Sequence, residues 1–295
     1  METWSERARS WLARLPIERL QHPTPVVAVL RLTGVIGQVG PLRSGLSLAR
    51  LADSIQRAFS MPRVKCVALS INSPGGSPVQ SALIARRIRQ LAAEKEIPVV
   101  AFAEDVAASG GYWLACAADE IYADANSIIG SIGVVASGFG FSDLIARIGI
   151  ERRIYTAGEK KSLLDPFRPE NPDDVARLKA VQAEIHDNFR AWVRERRGDR
   201  LAASDEAIFS GEFWTGQKAQ ELGLIDGIDD LRSAMRRRFG DDVKLRLVSG
   251  RESWLRRRLA FRGGDGDGFP LLPMNWADDL ISAVEARAWW NRYGL

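Results

Sequence analysis

The sequence predicts an α/β protein, a layered fold built from parallel β-α-β units. Two observations carry this expectation. Short apolar runs of strand length alternate with longer segments whose apolar residues recur at helical spacing. Three of the strands end in corners rich in glycine and small residues, where an extended chain gives way to a helix or loop. No internal repeat interrupts that alternation.

Residues 1–24 read as an amphipathic helix and linker. Trp4, Trp11, Leu12, Leu15 and Leu20 are interleaved with Arg and Glu, and His22-Pro23 ends the segment. Residues 26–32 are a buried strand closed by Gly34, and residues 64–71 are a second strand ending at Asn72-Ser73-Pro74-Gly75-Gly76. Ala82, Leu83, Ile84, Ile88 and Leu91 then mark a helix over 79–95. Pro98 opens a third strand over 99–103, followed by Ala107-Ala108-Ser109-Gly110-Gly111 and a short apolar helix over 112–118. A fourth strand covers 120–123 and leads into a Gly/Ser-rich loop. Asn171-Pro172-Asp173-Asp174 is a helix start, with proline in the first turn and acids at the positive end of the dipole. That helix runs to about residue 197. The character changes after about 240, with Arg256-Arg257-Arg258, a glycine-rich stretch at 263–268 and a Trp-rich end. The expected organisation is an N-terminal arm at 1–24, a catalytic core at 25–240 and a C-terminal extension at 241–295 for oligomer or membrane-surface contact.

Composition narrows the function. Of 295 residues, 46% are hydrophobic and 26% charged, the balance of a soluble globular protein. Two cysteines, Cys66 and Cys116, exclude a disulfide framework and a Cys-rich zinc module, and both are expected as buried reduced thiols. Two histidines, His22 and His186, leave little for an imidazole metal site or a Ser-His-Asp enzyme. His22 precedes a proline in a linker, and His186 sits on a polar helix beside Asp187, neither with a serine-linked motif. No metal and no cofactor is expected. No apolar run is long enough to span a bilayer, and the first residues lack the continuous apolar core of a secretory signal. Net charge is only +4, the mark of a solvated surface. Nucleic acid is not an expected partner: the Arg256–Arg258 cluster has no accompanying motif.

Lysine usage is more informative. Of 41 basic residues only seven are lysine, and two of them, Lys160 and Lys161, are adjacent in one loop. Arginine keeps its proton in a protein, whereas lysine can give it up. That makes the pair a candidate for chemistry, with a solvated loop as the plain alternative.

Loops beyond the carboxyl ends of strands are where open α/β sheets bind ligands. Ser73-Pro74-Gly75-Gly76 is either an oxyanion hole or a tight strand-to-helix turn. A phosphate cradle is weaker, since no Lys-Ser/Thr follows at P-loop spacing. Ser109, between small residues, is either a nucleophile favoured by a helix dipole or an ordinary N-cap. Gly130-Ser131-Ile132-Gly133 offers a further hydroxyl between glycines. Together these residues point to a serine hydrolase without histidine. A serine hydroxyl needs a base, and a lysine serves only when neutral, a state that burial against apolar walls favours.

The order of these motifs, with Ala157-Gly158-Glu159-Lys160-Lys161 and Phe213-Trp214-Thr215-Gly216 through Gly223-Leu224-Ile225-Asp226, resembles the S49 peptidases. These comprise the signal peptide peptidase A family and the related SohB-type enzymes. The resemblance covers about residues 25–235. It implies a Clp-protease/crotonase-like fold and a Ser/Lys dyad, with Ser109 as nucleophile and Lys161 as general base. Ser131 would position the lysine, and Gly76 and Gly110 would form the oxyanion hole. One departure is Lys160, where the family often has an aromatic. The resemblance further implies short hydrophobic peptide substrates such as signal peptides, and homo-oligomeric rings in which neighbouring subunits can complete each site, so that the dyad lies either within one subunit or between two. The chain is expected to depart from many members in having no N-terminal membrane span. Six of nine tryptophans lie in the terminal arms, which suits either a membrane surface or packing between subunits. The expected location is cytoplasmic, or peripheral at the inner membrane. A crotonase-type acyl-CoA enzyme using Glu104 or Asp105, or a silent ring scaffold, are the alternatives.

Overall fold

The computed structural model of the chain describes residues 24–37, 45–158, 160–248, 287–288 and 290–294. The N-terminal amphipathic arm, the Arg256–Arg258 cluster, the glycine-rich stretch and all the arm tryptophans except Trp290 lie outside the described residues.

Eight strands among the described residues form one sheet. They are β1 (Val26–Thr33), β2 (Val64–Ser73), β3 (Val99–Ala108), β4 (Glu120–Ala123), β5 (Ile128–Gly130), β6 (Phe213–Thr215), β7 (Gly227–Ile228) and β8 (Lys244–Leu247). Their spatial order is β6-β5-β3-β2-β1-β8, with β4 beside the first half of β3 and β7 beside β4. Every pairing is parallel except β5 with β6. The expected layered α/β fold with parallel units is present, and β8 carries the sheet past residue 240.

Period-two alternation explains why the central strands read as continuous apolar runs. Leu30, Leu32, Leu69, Ile71, Val99 and Ala101 face one layer, and Val27, Val29, Cys66, Ala68, Val100 and Phe102 face the other. A parallel sheet is covered on both faces, so both sets are buried. The first layer is formed by α1 (Leu48–Ser60), α2 (Pro78–Lys95), α3 (Gly110–Ala115) and part of α5 (Pro172–Arg197). The second is formed by α8 (Leu231–Phe239) through Ala234 and Met235. Between α3 and α8 lie α4 (Ser142–Arg147), α6 (Asp205–Ile208) and α7 (Gly216–Glu221). The helix starting at Asn171 is α5: the Asn171 side chain accepts from the Asp173 N–H at 2.9 Å, and Pro172 occupies the first turn. Cys66 and Cys116 are free and buried, and burial pushes both thiols up to about 12.

Strand β3 runs further than the five residues its apolar pattern indicates. Ile71 pairs with Ala103 but Ser73 pairs with Ala107, so β3 bulges over Glu104 and Asp105. Ser70 donates to Glu104, and the Asn72 side chain donates to Asp105 at 2.7 Å. Past this bulge β3 leaves β4 and pairs with β5. That change of partner sets the position of the site.

The stretch ending at Asp226 locks the helical layer to the sheet. Arg197, only 2% exposed, forms a two-pronged ion pair with Asp226 at 2.7 and 3.1 Å, and its Nε donates to the Gly223 carbonyl. Asp226 also accepts from the Ile121 N–H of β4 at 2.7 Å. Burial alone would raise the Asp226 carboxyl, but the Arg197 hydrogen bonds and charge hold it below its ordinary range. A depressed carboxylate stabilises the fold above its unfolded pKa, about 3.9. That contribution is lost as pH falls through the folded value. Asp226→Asn leaves the Arg197 guanidinium buried without its counter-charge, and we expect a loss of about 3–5 kcal/mol. Urea melts at pH 7 and pH 3.5 check this: the variant should lose most at pH 7, and the gap should shrink in acid.

Candidate active site

Sheet order brings the three glycine-rich corners together. β2, β3 and β5 are neighbours, and all three point the same way. In the β3–β5 ladder Ala108 pairs with Gly130, so Ser109 and Ser131 are the next residues of adjacent strands. The Ser109 N–H donates to the Gly130 carbonyl at 2.7 Å, which ties the two corners directly. On the other side, Ser73 pairs with Ala107, so the Pro74-Gly75-Gly76 corner rises beside Ser109.

The backbone of Ser109 is bent sharply, with φ 52° and ψ −122°. A non-glycine residue held there costs about 1–3 kcal/mol, and the surroundings must over-determine it. They do. Its carbonyl accepts from the Trp113 N–H at 3.0 Å, and every residue of α3 is buried. Tyr112 donates its hydroxyl to the Leu224 carbonyl at 2.7 Å, and Trp113 stacks on Phe189 at 4.6 Å. Gly75 is required by this crowding: a Cβ there would lie 2.7 Å from the Ser109 Cβ. Although Ser109 stands at the N-cap of α3, its hydroxyl makes no capping bond, and among the described residues it makes no other hydrogen bond. The ordinary capping role is therefore not the one it plays.

Two backbone amides sit next to it. Ile36 bonds to the Gly75 carbonyl and to the Ser77 N–H, both at 2.8 Å, and the Gly76 N–H between them has no partner among the described residues. Gly110 is the first residue of α3, so its N–H has no partner within the helix. The two amides are close: a Cβ on Gly110 would come within 3.4 Å of the Gly76 nitrogen. Ser73-Pro74-Gly75-Gly76 is thus a tight turn that also presents a donor, with the Ser73 hydroxyl accepting from the Gly75 N–H at 3.2 Å. Ser131, at 3% exposure and φ 52°, is fixed by its N–H to the Glu212 carbonyl at 2.6 Å.

Gly76, Ser109 and Ser131 line one cavity of about 350 Å³. Lys161 does not line it. Lys161 is exposed and lines a separate open cleft with Ala157, Gly158 and Lys160. Glu104 and Asp105 also lie elsewhere, in a further cavity beside Asp229 and Asp230. The cavity's ionisable lining residues among those described are His186 and Arg292, neither expected from the sequence as part of the site. A ring nitrogen of His186, Nε2, lies 3.1 Å from the Ile132 carbonyl. Its signal was helical spacing: His186 precedes the buried Phe189, Val193 and Arg197 on the inward face of α5. Among the described residues no cluster of His, Cys, Asp and Glu is arranged to hold a metal ion.

Among the described residues, a hydroxyl without a hydrogen-bond partner, two backbone amides without one and a second serine gather at neighbouring parallel strand ends. The sequence profile of Peptidase family S49 matches residues 92–244. The chain belongs to peptidase family S49. Among relatives of this S49 chain, the chloroplastic serine protease SPPA of Arabidopsis thaliana is 34% identical over 217 residues, 71% of this chain and 31% of that protein. A Brucella abortus protein named Na(+)/H(+) antiporter NhaA is 50% identical over 287 residues, 96% of this chain and 39% of that protein. The S49 chain therefore spans between three and four tenths of the length of these two relatives. A solved structure of the membrane-bound stomatin-specific protease 1510-N, carrying a serine-to-alanine substitution, aligns with a TM-score of 0.48. It shares 16% identity and covers 77% of this chain and 99% of that one. Among the described residues no helix is long and apolar enough to cross a membrane.

Proposed function

We propose that this chain is a serine endopeptidase that cleaves short apolar peptides, signal peptides among them, with Ser109 as nucleophile and Lys161 as general base. Family membership supports hydrolysis of peptide bonds. The observation that carries the reading is the juxtaposition of the Ser109 hydroxyl with the Gly76 and Gly110 amides, none of which has a hydrogen-bond partner among the described residues. In the reaction Ser109 Oγ attacks the peptide carbonyl, and its proton passes to the neutral Lys161 amine. The Gly76 and Gly110 N–H groups bind the oxyanion. The lysine ammonium then protonates the leaving amine, and water hydrolyses the acyl-enzyme. Ser131 holds the amine in place.

Lys161 does not line the Ser109 cavity of its own chain, and we propose that the base comes from a neighbouring copy. Support for this lies in the segment that carries it. Helix α4 buries none of its residues, and Phe139, Leu144, Ile148, Ile150 and Tyr155 are all more than half exposed. Large apolar residues left exposed along one segment suit an interface, and the partner proposed for it is a second copy. Lysine is a better base once such a contact strips water from it. Attachment to a membrane surface through the terminal arms is part of the same proposal. The transport name of the Brucella protein is not carried over, since this chain aligns with 39% of it.

An acyl-CoA reaction on Glu104 or Asp105 is not favoured, because neither carboxylate lines the Ser109 cavity. A histidine base is not favoured either, because the His186 Nε2 is engaged by the Ile132 carbonyl.

Labelling with a fluorophosphonate tests the assignment. Mass spectrometry should find a single adduct on Ser109, formed only by the assembled protein, and an adduct on Ser131 instead would overturn it. Gly76→Ala is a second test. A Cβ there would lie 2.1 Å from the Ile36 carbonyl oxygen at a φ of +138°, so the backbone must move and take its N–H with it. Loss of one oxyanion donor typically costs about 100–1,000-fold in kcat, and that is the expected result.

A further inference from the structure

The Ser109 cavity has a charge character that its catalytic parts do not explain. Its only ionisable lining residues among those described are His186 and Arg292, both basic, and no carboxylate lines it. The His186 Nε2 is taken by the Ile132 carbonyl. The Arg292 guanidinium is exposed and makes no ion pair or side-chain hydrogen bond with any described residue. Yet its position is fixed. The next residue, Tyr293, is buried against Val106 and Ala108 of β3, with Ile128 and Trp290 beside it. Its ring meets Phe213 of β6 edge-on at 5.2 Å. The backbone adds bonds from Arg292 N–H to the Ala288 carbonyl and from Tyr293 N–H to the Trp290 carbonyl. Tyr293 therefore anchors, at the wall of the cavity that holds Ser109, a cation with no ion-pair partner among the described residues.

A guanidinium with its donors unspent is a fork that matches a carboxylate. We infer that Arg292 is a specificity residue that reads a carboxylate on the peptide substrate, either an acidic side chain or the free α-carboxylate of a short peptide. This rests on the proposed peptidase reading and adds a substrate class to it: apolar peptides carrying one negative charge near the cleaved bond. Peptides with lysine or arginine at the same place are disfavoured by like charge.

The test separates binding from turnover. Fluorescein-labelled apolar hexapeptides are compared in matched pairs: Glu against Gln at each position in turn, and free acid against C-terminal amide. Affinity is measured by anisotropy on full-length protein carrying Ser109→Ala, and kcat/KM on protein with Ser109 intact. The expected result is about fivefold tighter binding of one acidic peptide over its neutral partner, the scale of a partly exposed ion pair. The preference should disappear in Arg292→Gln, persist in part in Arg292→Lys, and turn toward a lysine-bearing peptide in Arg292→Glu. Whichever pair shows it identifies the side chain or the α-carboxylate as the source. Equal binding of every pair, or a preference that survives Arg292→Gln, would overturn the inference. So would an equal rise in kcat/KM for every peptide in Arg292→Gln, because the segment would then cover the cavity rather than read its ligand. Absence of cleavage by protein with Ser109 intact, with the binding preference kept, would instead refute the peptidase reading and leave the carboxylate site standing.

Discussion

Ser109→Ala lowers peptide cleavage by about 10⁴-fold or more, the scale on which removal of a serine nucleophile acts, and leaves the fold unchanged. The substitution removes one oxygen, and among the described residues that oxygen has no hydrogen-bond partner to orphan. The strained φ of 52° is the same for both side chains, so the local backbone cost is not altered. The unfolding free energy should therefore stay within the small range of a neutral substitution, about ±0.5 kcal/mol. Activity and stability separate cleanly at this position, and kcat measured beside a melting curve checks both. A large loss of both together would mean that the hydroxyl is structural. Ser131→Ala provides the contrast. The residue lines the same cavity but is only 3% exposed, less open to a substrate carbonyl than the half-buried Ser109. Its loss should slow turnover through a misplaced lysine and leave the labelling of Ser109 detectable.

Lys161→Ala is expected to cost about 10²–10⁴-fold in kcat, the contribution of a positioned general acid–base group. Lys160→Ala should cost little. The two lysines are adjacent, and both line the open cleft beside Ala157 and Gly158. Lys160 also faces a second cavity, lined by Phe139, Leu163 and Pro166, so the two side chains have different surroundings. Lys161 is exposed, so neither its folding nor its local backbone depends on the ammonium. If the losses fall the other way round, with Lys160→Ala inactive, Lys160 is the base and the reading of the loop is displaced by one residue. The assay must be run on assembled protein, because the base is proposed to come from another copy.

The strands and corners were legible because glycine, serine and proline punctuate this sequence where strands end. Asn171-Pro172 marked the start of α5 for a physical reason that the structure repeats: a side-chain cap and a proline that needs no N–H. The juxtaposition of the corners was not legible. It depends on β3 changing partner from β4 to β5 at the bulge over Glu104 and Asp105. Those two charged residues end the apolar pattern at Ala103 and so hide the second half of the strand. Helix α1 is not among the elements predicted from the sequence, although Leu48, Leu51, Ile55 and Phe59 follow helical spacing and pack into the core. His186 was set aside for its polar neighbours, yet the turn after it points Phe189 and Val193 inward. Arg292 could not be placed from the sequence at all, because nothing local links the end of the chain to Ser109. What brings it there is the burial of Tyr293 against β3 and Phe213, a contact across most of the chain length.

The central claim is that one copy supplies Ser109 and another supplies Lys161. Complementation tests it most directly. Protein carrying Ser109→Ala and protein carrying Lys161→Ala are each inactive, and the two are co-expressed with different tags and purified through both. If neighbouring copies share a site, an intact Ser109 from one variant meets an intact Lys161 from the other, and about a quarter of the sites in a random mixture are complete. The account predicts that this fraction of the unsubstituted activity returns, with fluorophosphonate labelling confined to Ser109 of the Lys161→Ala chains. Mixed assemblies that contain both variants and remain as inactive as either alone would contradict it.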